Sequence, residues 1–515
     1  MGLISANVLF QLLGLITAIL VAAYLYLKHV TYQYWSSKGV AQAEPVVPIG
    51  NLFPVLRGKK SVGQQMRDLY LKFRKNPIFG VYSFHIPNLV ICDPEIIRFI
   101  LTKEFTAFQD RGMYSNVTHE PLTANLFQLG SPKWRHLRMK FTPTFTSGKM
   151  KYMFTTVKDI ANNLSKQIAI ESSQSDLVEV KDLMARFSTD VIASVAFGIE
   201  CNSLEIPEAE FRAWGRKFLQ PEPLKNTMMT LCPSVMKMFN IKFIDEGTSN
   251  FIINAFKDTV EYRTANNVVR KDFMDLVIQL LTKGYVNSDD GKDTQQDSVT
   301  ASDKITMLEG AAQAFVFWVA GFETSSSTAT HCLYEMAMNQ DIQDTLSEEM
   351  NRVLEKFGGL TYDAIMEMTY LHKVVSETLR KYPSVPILNR ECNRKVELPG
   401  TGFVVPVGIQ IVFPVLGIHW DPEIYPSPEK FDPERFTEEN IAKRHRYAYL
   451  PFGEGPRNCI GMRFGLLQTK IGLITLLSKY RLKPGPDTKS PLVMDTGNFL
   501  QMPLGGMKLR IEERR

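Results

Sequence analysis

The sequence holds 515 residues, enough for one large domain or two to three ordinary ones. Its composition, 44% hydrophobic and 22% charged with a formal net charge of +5, argues against extensive disorder and against a surface built to bind nucleic-acid phosphates. Six cysteines, Cys92, Cys201, Cys232, Cys332, Cys392 and Cys459, are scattered without a CxxC pair, which argues against a disulfide framework or a zinc cluster and points to a reducing compartment.

From Val8 to Leu27 the chain runs apolar for 20 residues apart from Gln11 and Thr17. As a helix that run spans roughly 30 Å, the thickness of a bilayer's hydrocarbon. Lys28, His29 and Lys38 follow and no Lys or Arg precedes, so the positive-inside bias sets the C-terminal side in cytosol. A cleaved signal peptide is disfavoured by the missing basic leader and the long apolar run, and a buried core helix is the other reading. Residues 1–29 are expected as a membrane anchor, 30–60 as a hinge stiffened by Pro45 and Pro48, and 61–515 as one large domain.

Beyond residue 60 a helical period dominates, as in Val157 to Ile170, Phe256 to Leu281 and Leu308 to Met338, while Ile78 to Ile91 and Gly402 to Phe413 read as strands. The expected fold class is mainly α with small β-sheets. Met228 to Phe243, rich in Met and Phe, reads either as a core helix pair or as a second surface that dips into a membrane. Asn287 to Asp303 is polar and reads as a loop, with Ser302 or Asp303 capping the helix that follows.

The most specific pattern is Pro451-Phe452-Gly453-Glu454-Gly455-Pro456-Arg457-Asn458-Cys459-Ile460-Gly461, a turn-rich loop that sets one cysteine just before a helical run from Met462 to Leu477. A helix N-terminus offers unpaired N–H groups and positive potential, which lowers a thiol pKa and favours the thiolate that iron binds. Arg457 suits a carboxylate partner. A lone cysteine is usually packing; eleven residues of pattern reverse that reading.

This loop resembles the haem-ligand loop of the cytochrome P-450 superfamily, FxxGxRxCxG, through Phe452, Gly455, Arg457, Cys459 and Gly461. Glu377-Thr378-Leu379-Arg380 is similar to the family's ExxR helix and Phe431 to Phe436 to its PERF segment, implying a buried network of Glu377, Arg380 and Arg435. Ala320-Gly321-Phe322-Glu323-Thr324-Ser325, in a helix expected from about Ser302 to Met338, resembles the oxygen-binding motif. There Thr324 is expected to bond the carbonyl four residues back, Gly321 to make room, and Glu323 and Thr324 to border the groove and deliver protons. Many relatives have Asp where this chain has Glu323. Trp134, Arg138 and Arg390 match positions that, with Arg457, bind haem propionates. Taken singly, ExxR is a common i,i+3 pair, the glycine motif a packing notch, and each arginine a surface residue.

The resemblance, nearest to insect enzymes that clear plant toxins and insecticides, implies a cytochrome P-450 fold and a haem-thiolate monooxygenase. Haem b would be held by Cys459, and one atom of O2 inserted into a lipophilic xenobiotic, endogenous lipid or hormone, using NADPH-derived electrons. No GxGxxG follows a strand, so electrons come from a separate flavoprotein reductase, with a cytochrome b-type protein as a second donor. Lys133, Arg135, Lys140, Lys149 and Lys151 are candidate docking residues for an acidic reductase face. Phe127, Val316, Ala320 and Val385 match substrate-pocket positions, where each is otherwise plain core. The expected location is the endoplasmic reticulum membrane, with the catalytic part on its cytosolic face. The rivals are a haem-thiolate isomerase or dehydratase that needs no O2, and a non-catalytic haem sensor.

Overall fold

A computed structural model describes residues 6–220, 222–270, 272–287 and 304–514. The apolar N-terminal run is a helix, Ala6–His29, closed by Lys28 and His29. None of its apolar window is buried, and Phe10 stands 74% exposed. Twenty-four residues rise about 36 Å, enough to cross a bilayer. So long an apolar surface is costly in water.

The segment 30–60, expected as a proline-stiffened hinge, packs on the folded part. Tyr32 and Trp35 are buried against the strand Ile78–Ser83, and the Trp35 indole donates to the Val81 carbonyl at 3.3 Å. Gly80 makes this docking feasible, because a Cβ there would stand 2.2 Å from the Trp35 ring. Two buried aromatic side chains and backbone bonds such as Ala43 N–H to Gly80 O at 3.0 Å outweigh the entropy of a loose linker.

Strands Ile78–Ser83 and Ile86–Ile91 form a hairpin with Ile78 opposite Ile91. Gln410–Phe413 adds in parallel to the second strand, and Leu388–Glu391 pairs antiparallel beyond it with Arg390 opposite Ile411. The edge strand thus carries Arg390 into the interior. A three-stranded sheet of Leu177–Glu179, Lys508–Glu513 and Tyr480–Pro484 and a two-stranded pair, Val396–Glu397 with Val404–Val405, complete the β-structure among the described residues. Helices make up most of the rest, which is the mainly α architecture expected.

The central helix, Met307–Met338, runs through the larger core cluster. Its cap is Thr306, in a reciprocal capping box with Glu309, so the helix starts later than expected; Ser302, Asp303 and most of the polar loop lie outside the described residues. Val157 to Ile170 falls within Ser147–Gln174, where Met150, Met153, Val157, Ala161, Leu164 and Ile168 recur with the helical period and are buried. Phe256 to Leu281 is two helices, Glu246–Ala265 and Phe273–Thr282, not one. Asn267 takes a left-handed φ of 53°, and Asp272 caps the second helix while receiving both Nη atoms of Arg263. Met228 to Phe243 spans parts of two short helices, Pro223–Leu231 and Pro233–Met238, that bury Met229 and Met236 yet leave Met238 and Phe239 about two-thirds exposed.

Candidate active site

The cysteine loop is shaped by backbone that side chains would disfavour. Gly455 has φ 76°, and a Cβ there would lie 2.0 Å from the Leu101 carbonyl oxygen. The Cys459 N–H donates to Phe452 O at 2.8 Å, and the chain then enters the helix Met462–Leu477. Arg138, on the helix Lys133–Phe141, holds the loop by donating to Asn458 O at 3.0 Å and Asn458 Oδ1 at 2.9 Å. The Cys459 side chain has open surface, but that surface faces an internal cavity and not bulk water. Burial therefore raises its thiol pKa, and the Gly461 N–H and the charges of Arg138 and Arg111 oppose this without reversing it. The lowered pKa expected from the helix terminus is thus not the property of the free thiol; a coordinated metal ion would remove the proton outright.

Above the thiol the central helix forms the roof. Val316, Ala320, Gly321 and Thr324 line the cavity from it, Phe127 and Val385 close the sides, and Phe452, Cys459 and Gly461 lie below. All four expected substrate positions are on this wall. The Thr324 hydroxyl donates to the Ala320 carbonyl, as the helix-bending pattern requires. Gly321 also packs closely, since a Cβ there would stand 2.7 Å from Ile192 Cδ1 on the helix Val180–Ile192 and force that side chain to shift.

Glu323 does not border the groove. It is not among the residues that line the cavity, whereas Thr324 is. The Glu323 carboxylate is buried on the other flank, where its Oε1 accepts from Ser327 Oγ at 3.2 Å. Burial raises its pKa, with Lys181, Ser327 and Arg212 pulling it down less strongly.

One end of the cavity is cationic. The Arg457 guanidinium lies 4.1 Å from the centre of the Trp134 ring and is fully buried. Its Nη2 donates to Leu129 O at 2.7 Å, while Nε and Nη1 have no partner. Arg390 stands behind the wall and not on it, two residues after wall residue Leu388, with its Nε also unpartnered. Arg111 was not singled out from the sequence, yet it lines the cavity, donates to Phe127 O at 2.9 Å and Arg457 O at 3.0 Å, and rests on the Phe127 ring. Burial and mutual repulsion push Arg457 down to about 8, Arg390 to about 9 and Arg111 to about 10. Buried N–H groups without acceptors are rare in folded proteins. A cluster of arginines that needs anions, beside an apolar cavity with a thiol on its floor, fits a porphyrin iron bearing two carboxylates.

Glu377 and Arg380 are fully buried and paired, and Arg380 also donates to Pro428 O at 2.7 Å and His419 O at 3.2 Å. Arg435 contributes less than the expected second fork. Its Nε approaches Glu377 Oε1 at 3.4 Å without hydrogen-bond geometry, and the Asp432 N–H donates to that oxygen instead at 2.9 Å. Of the basic residues, Lys133, Arg135 and Lys151 are exposed; Lys140 and Lys149 are half-buried, and Lys140 donates to Gly284 O at 3.3 Å.

The sequence model of the family described as Cytochrome P450 matches residues 42–509. The chain is 39% identical over 514 residues to "Cytochrome P450 6k1" of Blattella germanica, covering 98% of both chains. It is 42% identical over 487 residues to "Probable cytochrome P450 6a13" of Drosophila melanogaster, covering 93% of this chain and 94% of that one. With "Cytochrome P450 6A1" of Musca domestica it shares 38% over 506 residues, 96% of this chain and 97% of the relative. Match length and relatives agree with the thiol-floored, arginine-ended cavity: the chain belongs to the cytochrome P450 family, as a haem-thiolate monooxygenase that uses haem b, O2 and NADPH-derived electrons.

Proposed function

We propose that this P450 oxygenates lipophilic xenobiotics, such as plant toxins or insecticides, at a membrane surface, with the Cys459 sulfur as the group that would hold haem iron. The observation that carries the reading is the apolar cavity over the Cys459 sulfur, walled by Phe127, Val316, Ala320 and Val385. Such a wall selects oily molecules and excludes water.

Bound haem supplies the activation of O2 and the transfer of one oxygen atom to substrate. The protein's own residues then have distinct tasks. Cys459 would hold the iron through its sulfur and supply electron density to it, while Phe452 and Gly461 shape the cavity around the thiol. Arg457, Arg138, Arg111 and the Trp134 indole would hold the propionates, with Arg390 adding positive charge from behind the wall. Thr324 offers a hydroxyl at the cavity face, and Glu323, buried off the cavity wall and bonded by Ser327, holds a proton in reserve. Exposed Lys133 and Arg135 receive an acidic flavoprotein reductase, with a cytochrome b-type protein as second donor. The anchor helix crosses the endoplasmic reticulum membrane and the exposed tip Met238-Phe239 rests on it, with the catalytic part in cytosol. Residues 30–60 belong to that folded part.

The test is turnover in membranes containing the chain and a reductase, with O2 and NADPH each withheld in turn. Oxygenated product that requires both supports this reading. Product formed without either would favour a rearranging enzyme, and haem binding with no substrate-dependent NADPH consumption would favour a sensor.

A further inference from the structure

The donors that converge on the cationic end of the cavity come from four separate stretches of chain, and the Asp110 carboxylate touches three of them while Asp110 belongs to the fourth. Asp110 Oδ1 accepts from the Ser131 N–H at 2.7 Å, at the turn that leads into the helix of Trp134 and Arg138. The same oxygen lies 3.4 Å from Arg457 Nη2. Asp110 Oδ2 accepts from Asn393 Nδ2 at 3.1 Å, and the Asp110 carbonyl accepts from the N–H of Glu391, the residue after Arg390, at 2.8 Å. Arg111 is its chain neighbour. A Cβ on Gly130 would stand 3.3 Å from Asp110 Oδ2, so the strand of chain opposite fits closely around the carboxylate.

We propose that Asp110 is a positioning residue for haem, acting through Arg457. Nη2 of Arg457 is held between Leu129 O and Asp110 Oδ1, which fixes the rotation of the guanidinium and leaves buried Nη1 and Nε to meet a propionate. Charge strengthens that hold, because the Asp110 carboxylate offsets the repulsion that Arg457 meets from Arg111, Arg390 and Arg138. The inference rests on the propionate cradle proposed above. It adds a residue whose effect on haem is indirect.

The experiment is transfer of ferric haem from the full-length holoprotein to excess apomyoglobin, for wild type, Asp110→Asn, Asp110→Glu, Arg457→Ala and the Asp110→Asn, Arg457→Ala pair. Asp110→Asn should lose haem about tenfold faster, Asp110→Glu should restore most of the retention, and the pair should lose haem no faster than Arg457→Ala alone. A merely structural role would make the two substitutions additive, and additivity overturns the proposal. So does wild-type retention in Asp110→Asn, or equal loss in the Asn and Glu variants. If Arg457→Ala itself keeps haem as wild type does, the cradle reading fails, a result separate from failure at Asp110.

Discussion

Glu377 and Arg380 meet through two hydrogen bonds, Nε to Oε2 at 2.9 Å and Nη2 to Oε1 at 2.7 Å, with neither side chain exposed. Removing one partner leaves an uncompensated charge in the core, at a cost of about 3–5 kcal/mol. Glu377→Ala should therefore yield little haem-loaded protein, and what folds should unfold at lower urea. Arg435→Ala should cost less, because Asp432 N–H already serves the oxygen that Arg435 only approaches. Equal losses in the two variants, by urea denaturation, would contradict this ranking.

Thr324 and Glu323 should fail differently. Thr324→Ala removes a hydroxyl from the cavity face and should cut product by about 10²-fold while NADPH consumption continues and hydrogen peroxide accumulates. Glu323→Gln leaves the cavity wall intact, so substrate binding should be unchanged and turnover slowed. Since burial holds the Glu323 carboxyl above the usual range, turnover should fall as pH rises through that raised pKa, and Glu323→Gln should lose this limb of the profile. A pH profile identical in both proteins would count against a proton-transfer role.

His419 gives a pH dependence of stability. Its Nε2 accepts from the Leu450 N–H at 2.9 Å and its Nδ1 contacts Arg380 O at 3.2 Å, which fixes a neutral ring with the proton on Nδ1. Burial, reinforced by Arg380, pushes its pKa down to about 3. The unfolded chain takes up a proton near pH 6.5, so the stability is present above that value and is lost as pH falls from 6.5 towards 3. The slope is at most about 1.4 kcal/mol per pH unit. Urea midpoints measured between pH 7 and pH 4 should fall, and less steeply in His419→Gln.

Lys133 and Arg135 are exposed on the helix whose Arg138 holds the cysteine loop, so Lys133→Glu with Arg135→Glu should slow electron delivery at low ionic strength and leave it near wild type in high salt. Stopped-flow reduction by the reductase checks this. A salt-independent defect, or none, would remove these residues from the docking face.

Legibility from sequence followed the range of the interactions. The cysteine loop, the ExxR pair and Trp134 with Arg138 could be read because each rests on a short spacing that one helix or turn fixes. Arg111 escaped because its partner carbonyl is 346 residues away on Arg457. Glu323 was misplaced because the motif reads as one unit, while only its residues Ala320, Gly321, Thr324 and Ser325 line the cavity. The docked segment around Trp35 did carry a signal, a glycine at Gly80 inside a strand, which marks a close approach by other atoms. The direction of the Cys459 shift depends on burial by the whole fold, which no local pattern reports.

The central claim is that Cys459 ligates haem iron, and the reduced, carbon monoxide-bound absorption spectrum of wild type and Cys459→Ala tests it most directly. The account predicts a strongly red-shifted Soret band in wild type that is lost in the variant. A wild-type band at the position of nitrogen-ligated haem, or a red-shifted band that survives in Cys459→Ala, would contradict it.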